Sequence, residues 1–263
     1  GIDISIGSVV ALTCMTSAQM LASTSIPAPL VILIVLAMGA VFGLVQGWLI
    51  TEFDMQPFIV TLAGQFFARG MTAIISRDTI VIDNPMYTSL ASARLYILPG
   101  GFISVGVVIA LVALVIGTLV LKFTRFGRNI YALGGNETSA QLMGLPTHRT
   151  KILAYVVCGF CSSLAGVVYS LIMLSGYPHH AVSMEMDAIA SSVIGGTLMS
   201  GGVAFLPGTL LGVMIQGVFQ TFITFQGTLS AWWTRIIIAL LLCLFIVIQA
   251  VVNRSRQRLD SQH

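Results

Sequence analysis

Apolar positions along this chain fall in long runs rather than in alternation. Stretches of Val, Ile, Leu, Ala and Phe, most near the roughly 20 residues a helix needs to cross the hydrocarbon core, are separated by short polar breaks. The pattern predicts spans at about 1–22, 30–50, 58–76, 103–121, 152–174, 186–200, 206–224 and 233–252. The first reads as the second half of a longer, broken helix. Segment 186–200 is short and rich in Gly and Ser, which fits a re-entrant or gating helix better than a simple span. The ~10-residue alternating segments of a membrane barrel are absent. The fold class is therefore all-α: a polytopic helical membrane protein with broken or re-entrant helices, one transmembrane domain over 1–263.

One long polar stretch interrupts the pattern, KFTRFGRNIYALGGNETSAQLMGLPTHRTK at 122–151, and it holds five of the twelve Lys/Arg residues. A short helix is marked inside it. Asn136 can cap its start by accepting an orphan backbone N–H, and Glu137 suits the positive end of the helix dipole. Gly144 can take the left-handed closing position, and Pro146 prevents continuation. A short helix held between two spans is what a membrane protein presents to a soluble partner.

Composition sharpens this. The chain is 57% hydrophobic and 8% charged, against about 25% charged in soluble domains. The net charge of +3 follows from topology and carries no nucleic-acid signal. Lys122, Arg125, Arg128, Arg149 and Lys151 flank one loop, and Arg254, Arg256 and Arg258 crowd the tail, so loop and C-terminus are both expected in the cytoplasm. That requires an even number of crossings between them, which the last four predicted spans supply. The 77–102 loop balances Arg77 and Arg94 against Asp78 and Asp83 and is expected outside. The chain opens on Gly1 with residues that already read as intramembrane, so an N-terminal portion is expected to precede it.

Several chemistries are excluded. A P-loop needs Lys after Gly, and the only lysines are Lys122 and Lys151; ATP is not bound by that device. No H-E-x-x-H or G-x-S-x-G motif is present. Cys14, Cys158, Cys161 and Cys243 all lie in apolar segments, so the C-x-x-C of Cys158 and Cys161 reads as small packing residues. His179–His180 reads as a solvated external turn.

Ionisable residues inside a membrane cost about 2.5–3.5 kcal/mol at the midplane and mark function by default. Asp3, with Ser5, Gly7 and Ser8, suits a helix break lining a hydrophilic path; an interfacial cap is the plainer alternative. Arg69 and Arg235 sit near span ends and are expected to snorkel. In MEMDAIASSVIGGTLMSGG, 184–202, Glu185 and Asp187 precede small residues that let a helix slide, and Ser191, Ser192 and Thr197 offer hydroxyls to a polyhydroxylated solute; a tightly packed hairpin is the alternative. GAVFGLVQG at 39–47 echoes GTLLGVMIQG at 208–217. This is either an internal repeat or two small-residue packing faces.

GIDISIGS, GRNIYALGGNETSAQLMG and MEMDAIASSVIGGTLMSGG, in this order and spacing, resemble the permease subunits of bacterial ABC importers for monosaccharides, the ribose, arabinose, galactose, xylose and autoinducer-2 class. Within that class IYALGGNETSAQLMG with GTLSAWWTRI at 227–236 looks closest to the YjfF-type subunit of a galactofuranose importer. The resemblance covers the whole chain and implies an ABC-importer permease bundle with no catalytic residue of its own. It implies partners: a cytoplasmic ABC ATPase subunit holding ATP and Mg, a second permease subunit alike or homologous, and a periplasmic sugar-binding protein. The expected location is the bacterial inner membrane. Coupling to the ATPase falls on Gly134, Gly135, Asn136, Glu137, Ala140, Met143 and Gly144. The substrate path is expected at Asp3, Ser5, Ser8, Asp187, Ser191 and Ser192, with no metal. Such permeases usually carry further spans before GID. They also tend to read G-G-x-G-x-x-x-G-T after the gate, where this chain has Ala204 and Pro207 within 201–209, which questions the flexibility of that turn. An ion-coupled secondary transporter using Asp3 or Asp187, a structural membrane protein and a branched-chain amino acid carrier are the rivals.

Overall fold

A computed structural model describes residues 1–98, 101–226, 233 and 236–247. Among the described residues six helices are long and apolar enough to cross a membrane: α1 (Ile6–Ser23), α2 (Ala28–Glu52), α3 (Pro57–Ile75), α5 (Val105–Phe123), α8 (Thr147–Met173) and α10 (Leu206–Gln226). The shorter elements are β1 (Ile80–Val81), α4 (Pro85–Ser92), β2 (Arg94–Leu98), β3 (Gly101–Ser104), α6 (Arg125–Gly135), α7 (Glu137–Leu142), β4 (Ser175–Gly176) and α9 (Met184–Ile194). The chain is a multi-pass helical membrane protein. It forms two compact units, one of Gly1–Ile116 with Pro146–Glu185, the other of Gly117–Leu145 with the described residues from Met186 onward.

In the first unit α1 is the inner helix. Val9, Val10, Ala11, Leu12, Cys14, Met15 and Ala18 are buried along it, and so are Ser8, Thr13 and Ser17. It packs on α3 and α8, and α2 packs along α8. The α2–α8 contact is made possible by small residues one turn apart. A Cβ on Gly39 would strike Ser163 Oγ, and one on Gly43 would strike the Tyr155 carbonyl. Lipid is as apolar as Leu, so close backbone approach and dispersion, rather than the hydrophobic effect, hold such helices together. Thr13 Oγ1 donates to Ser163 Oγ at 3.1 Å and Cys14 Sγ to Gly166 O at 3.2 Å, adding polar links to the same face.

The 77–102 segment is more structured than a plain loop. β1 pairs antiparallel with β4, Ile80 opposite Gly176, and β2 pairs with β3, Arg94 opposite Ser104. Asn84 caps α4, accepting from Met86 N at 3.0 Å. That helix sets Tyr87 into a core of Ala18, Ala28, Val35, Ile82, Val167 and Leu171. Burial pushes the Tyr87 phenol above its ordinary 10, partly offset by hydrogen bonding to Ser170. Two-residue strands carry no periodicity of their own, which is why the pattern of apolar positions missed them.

Boundaries also move. α8 begins at Thr147, five residues before the expected 152, and α1 begins at Ile6 rather than at the start of the expected 1–22 span, leaving 1–5 non-helical. Expected span 186–200 becomes α9, 11 residues long and about 16 Å at 1.5 Å per residue, half a bilayer. The helix by itself covers only part of the crossing counted for 186–200. Arg235, Arg254, Arg256, Arg258 and most of 227–236 lie outside the described residues.

Candidate functional site

Three polar groups stand out, two of them built on helix breaks. At the start of α1, Asp3 Oδ1 accepts from Ser5 N at 2.8 Å and from Ser5 Oγ at 2.7 Å, so the carboxylate closes the turn that opens the helix. Asp3 Oδ2 accepts from Cys158 Sγ at 3.3 Å. Cys158 is thus a polar partner rather than mere packing, and Cys161, expected to be buried, is exposed. Ser5 Oγ lies 3.4 Å from Gln46 Oε1 on α2. Ser5 and Ser8 are both buried, and Ser8 Oγ and Gln46 Nε2 find no partner among the described residues.

One turn along α1, Gly7 faces Glu185, and a Cβ there would strike its Oε2. Glu185 is only 6% exposed. Its Oε1 accepts from Gln65 Nε2 at 3.4 Å, and Oε2 is buried without a partner among the described residues. Arg69, expected to snorkel, instead donates from Nη1 to the carbonyls of Pro178 at 2.7 Å and His180 at 2.8 Å. It ties the 174–183 turn to α3 and attracts Glu185 electrostatically. The His179–His180 pair is not uniformly solvated. The His180 ring sits edge-on to Tyr169 at 5.2 Å and Tyr177 at 5.7 Å, and burial holds its pKa below the ordinary 6.5.

The second unit holds Asp187, Ser191 and Ser192 on α9. Ser191 Oγ donates to Asp187 O and lies 2.7 Å from Gln216 Oε1 on α10; Ser192 Oγ donates to Ala188 O at 2.9 Å. Asp187 is exposed. Gly208 and Gly212 of α10 lie on the backbones of Gly195 and Ser191, where a Cβ would collide with their carbonyls. The small residues of α9 therefore serve a tight hairpin in this state. The sequence echo is carried into hydrogen bonding. In each unit a Gln beside paired glycines, Gln46 or Gln216, is buried with its Oε1 toward a serine of the preceding polar segment and its Nε2 unpartnered among the described residues. Asp3, Ser5 and Ser8 belong to one unit and Asp187, Ser191 and Ser192 to the other.

The third group is the polar interruption itself. Thr124 Oγ1 caps α6, accepting from Gly127 N at 3.2 Å, a helix the sequence reading did not separate. α7 is the marked helix: Asn136 Oδ1 accepts from Ser139 N at 2.9 Å, Gly144 closes it at φ +76°, and Leu145 N donates to Ala140 O at 3.1 Å. Ala140 faces inward at 1% exposed, whereas Leu142 and Met143 stand out at 84% and 69%. Gly134 and Gly135, at the end of α6, back onto a turn at Gly201 and Gly202, whose φ angles are +95° and +78°. A Cβ on Gly134 would lie 2.5 Å from Gly202 N, and one on Gly202 3.0 Å from Gly135 Cα. Tyr131 OH donates to Ala204 O at 3.1 Å. Pro207 fits without loss, because it occupies the first turn of α10, where the missing N–H would have had no intrahelical partner.

Sequence reasoning left Gln46, Gln65 and Gln216 out of the site and gave Glu185 no role. The signal was present only as polar residues in apolar surroundings, without their partners. Among the described residues no cluster of three metal-binding side chains occurs.

Residues 1–246 match the family model described as branched-chain amino acid transport system / permease component. The inner membrane ABC transporter permease protein YjfF of Escherichia coli K12 is 46% identical over 249 residues, 95% of this chain and 75% of that one. The fructose import permease protein FruG of Bifidobacterium longum is 42% identical over 258 residues, 96% and 75%. The ribose import permease protein RbsC of Escherichia coli K12 is 32% identical over 250 residues, 94% and 77%. No solved structure matches significantly.

Proposed function

The chain belongs to the family of branched-chain amino acid transport system / permease components, and on that premise we propose that it is the membrane subunit of an ATP-binding-cassette importer that carries a monosaccharide across the bacterial inner membrane. The observation that carries this reading is likeness over almost the whole chain to permeases named for fructose and ribose import. It catalyses no reaction and binds no nucleotide: ATP and Mg belong to a separate ATPase, and a binding protein delivers the sugar to a path shared with a second permease chain. The loop at 123–151 and the C-terminus are cytoplasmic.

The exposed pair Leu142 and Met143 on a capped, six-residue helix offers the ATPase an apolar grip. Movement of α6 and α7 reaches the 201–202 turn through backbone contact at Gly134 and Gly135. From there it bears on α9, whose hairpin with α10 carries a serine–glutamine hydrogen bond beside its close glycine contacts. Opening that hairpin frees the Ser191 and Ser192 hydroxyls for sugar, and Asp3, Ser5 and Ser8 supply the other polar part of the path. ATP at one end and binding protein at the other bias a two-state element.

The test is co-purification with the ATPase and ATP-driven uptake in vesicles. Leu142→Arg with Met143→Arg leaves membrane levels normal, removes the ATPase and stops uptake. Retained association would move docking elsewhere. Uptake that follows an ion gradient and ignores ATP would replace this reading with ion-coupled transport.

A further inference from the structure

The basic residues of the polar interruption are not spread evenly over its surface. Lys122, at the end of α5, and Arg128, on the first turns of α6, line a recess of about 460 Å³ in the second unit. Its other walls are Thr118 and Leu121 of α5, Tyr131 of α6, and Ala204 to Pro207. Lys122 and Arg128 are exposed. Lys122 Nζ lies 5.6 Å from the Phe123 ring, and among the described residues neither cation has a carboxylate partner. The walls are largely apolar, with Leu121, Phe205, Leu206 and Pro207 opposite the charges. α5 is long and apolar enough to cross a membrane and has no buried residue, so the recess opens at the charged end of an apolar, uncovered helix.

We propose that this recess is a binding site for an anionic phospholipid, with its phosphate between Lys122 and Arg128 and the start of an acyl chain along Leu121, Phe205 and Leu206. Two cations at the end of a span, above an apolar wall, match the two ends of such a molecule: the charged headgroup stays at the interface and the chain stays in hydrocarbon. A sugar would leave the apolar wall unused, and a free phosphate would as well. The site lies beside the Tyr131–Ala204 hydrogen bond, one helical turn before Gly134. An occupied recess therefore braces α6 against the 204–207 segment at the contact through which coupling is read.

The experiment is native mass spectrometry of the intact, delipidated permease titrated with phosphatidylglycerol or phosphatidylcholine. It reports lipid retention and does not depend on the transported solute. The expected result is one retained phosphatidylglycerol per chain, little phosphatidylcholine, and about tenfold weaker retention by Lys122→Gln with Arg128→Gln. Arg125→Gln with Arg149→Gln removes the same charge from the same loop but lines no part of the recess, and it retains lipid normally. Equal retention by the first double variant, or equal loss in the second, overturns the site. Displacement by millimolar inorganic phosphate overturns the lipid in favour of a free anion. If lipid retention is unchanged but the Lys122/Arg128 variant loses its ATPase, the recess is a protein interface and the proposal falls.

Discussion

At the scale of single residues, space and charge around α1 decide most of what the sequence left open. Gly7 lies against both the Glu185 carboxylate and the Ala181 carbonyl, the latter 2.6 Å from where a Cβ would sit. Backbone cannot give way as a side-chain end can, so Gly7→Ala is expected to destabilise by about 1–3 kcal/mol. Gly70→Ala, on α3 with open space around it, is expected to stabilise by roughly 0.5–1 kcal/mol through helix propensity. Thermal denaturation in detergent checks both, and equal shifts would mean that Gly7 is not a contact point. His180 gives a pH signature. Burial lowers its folded pKa below 6.5, so between the two values the unfolded chain binds more protons and stability rises with pH. Its contribution is complete above pH 6.5 and is lost as pH falls through 6.5 toward the folded value. The melting temperature is expected to drop from pH 7.5 to 5.5, and by less in His180→Phe; an unchanged drop would place the titrating group elsewhere.

At the scale of elements, the α9–α10 hairpin rests on a polar contact that the two partners do not share equally. Ser191→Ala leaves the Gln216 amide buried with both ends unpaired, a loss of about 1–2 kcal/mol. Gln216→Leu removes an already half-satisfied amide and leaves Ser191 bonded to the Asp187 carbonyl, so its cost is expected to be smaller. The coupling in a double-mutant cycle is expected near 0.6 kcal/mol, the usual value inside membranes. A cycle with no coupling would show that the hairpin is held by its glycines alone. α7 was legible because capping is local: Asn136, Glu137, Gly144 and Pro146 act within a few residues of one another. α6, α4 and the β1–β4 pair were not. α6 is amphipathic but short, and β1 becomes a strand only because Ser175 and Gly176, far along the chain, lie beside it.

At the scale of the whole molecule, the proposed function asks how an event on a cytoplasmic partner would reach a polar helix in the membrane. The glycine contact between α6 and the 201–202 turn supplies a route within one unit. Gly202 sits at φ +78°, where a side chain costs roughly 1–2 kcal/mol, and it has no room toward Gly135. Gly202→Ala is therefore expected to keep ATPase association and ATP hydrolysis while uptake falls at least about tenfold. Uptake near the wild-type level would show that the signal travels by another path.

The amino-acid sequence by itself determined the membrane, the helical class and the capped helix at Glu137–Leu142, because hydropathy and capping are properties of contiguous residues. Order, spacing and likeness to known permeases also came from it. Tertiary structure alone decided that 184–194 is helical over only about half a span, that Arg69 is bound rather than free to snorkel, and that Ala140 faces inward while Leu142 and Met143 face out. It alone paired Asp3 with Cys158, Ser191 with Gln216 and Gly134 with Gly202. Each of these joins residues distant in the chain, and a buried carboxylate, amide or glycine takes its meaning from the partner that approaches it, which linear order does not contain.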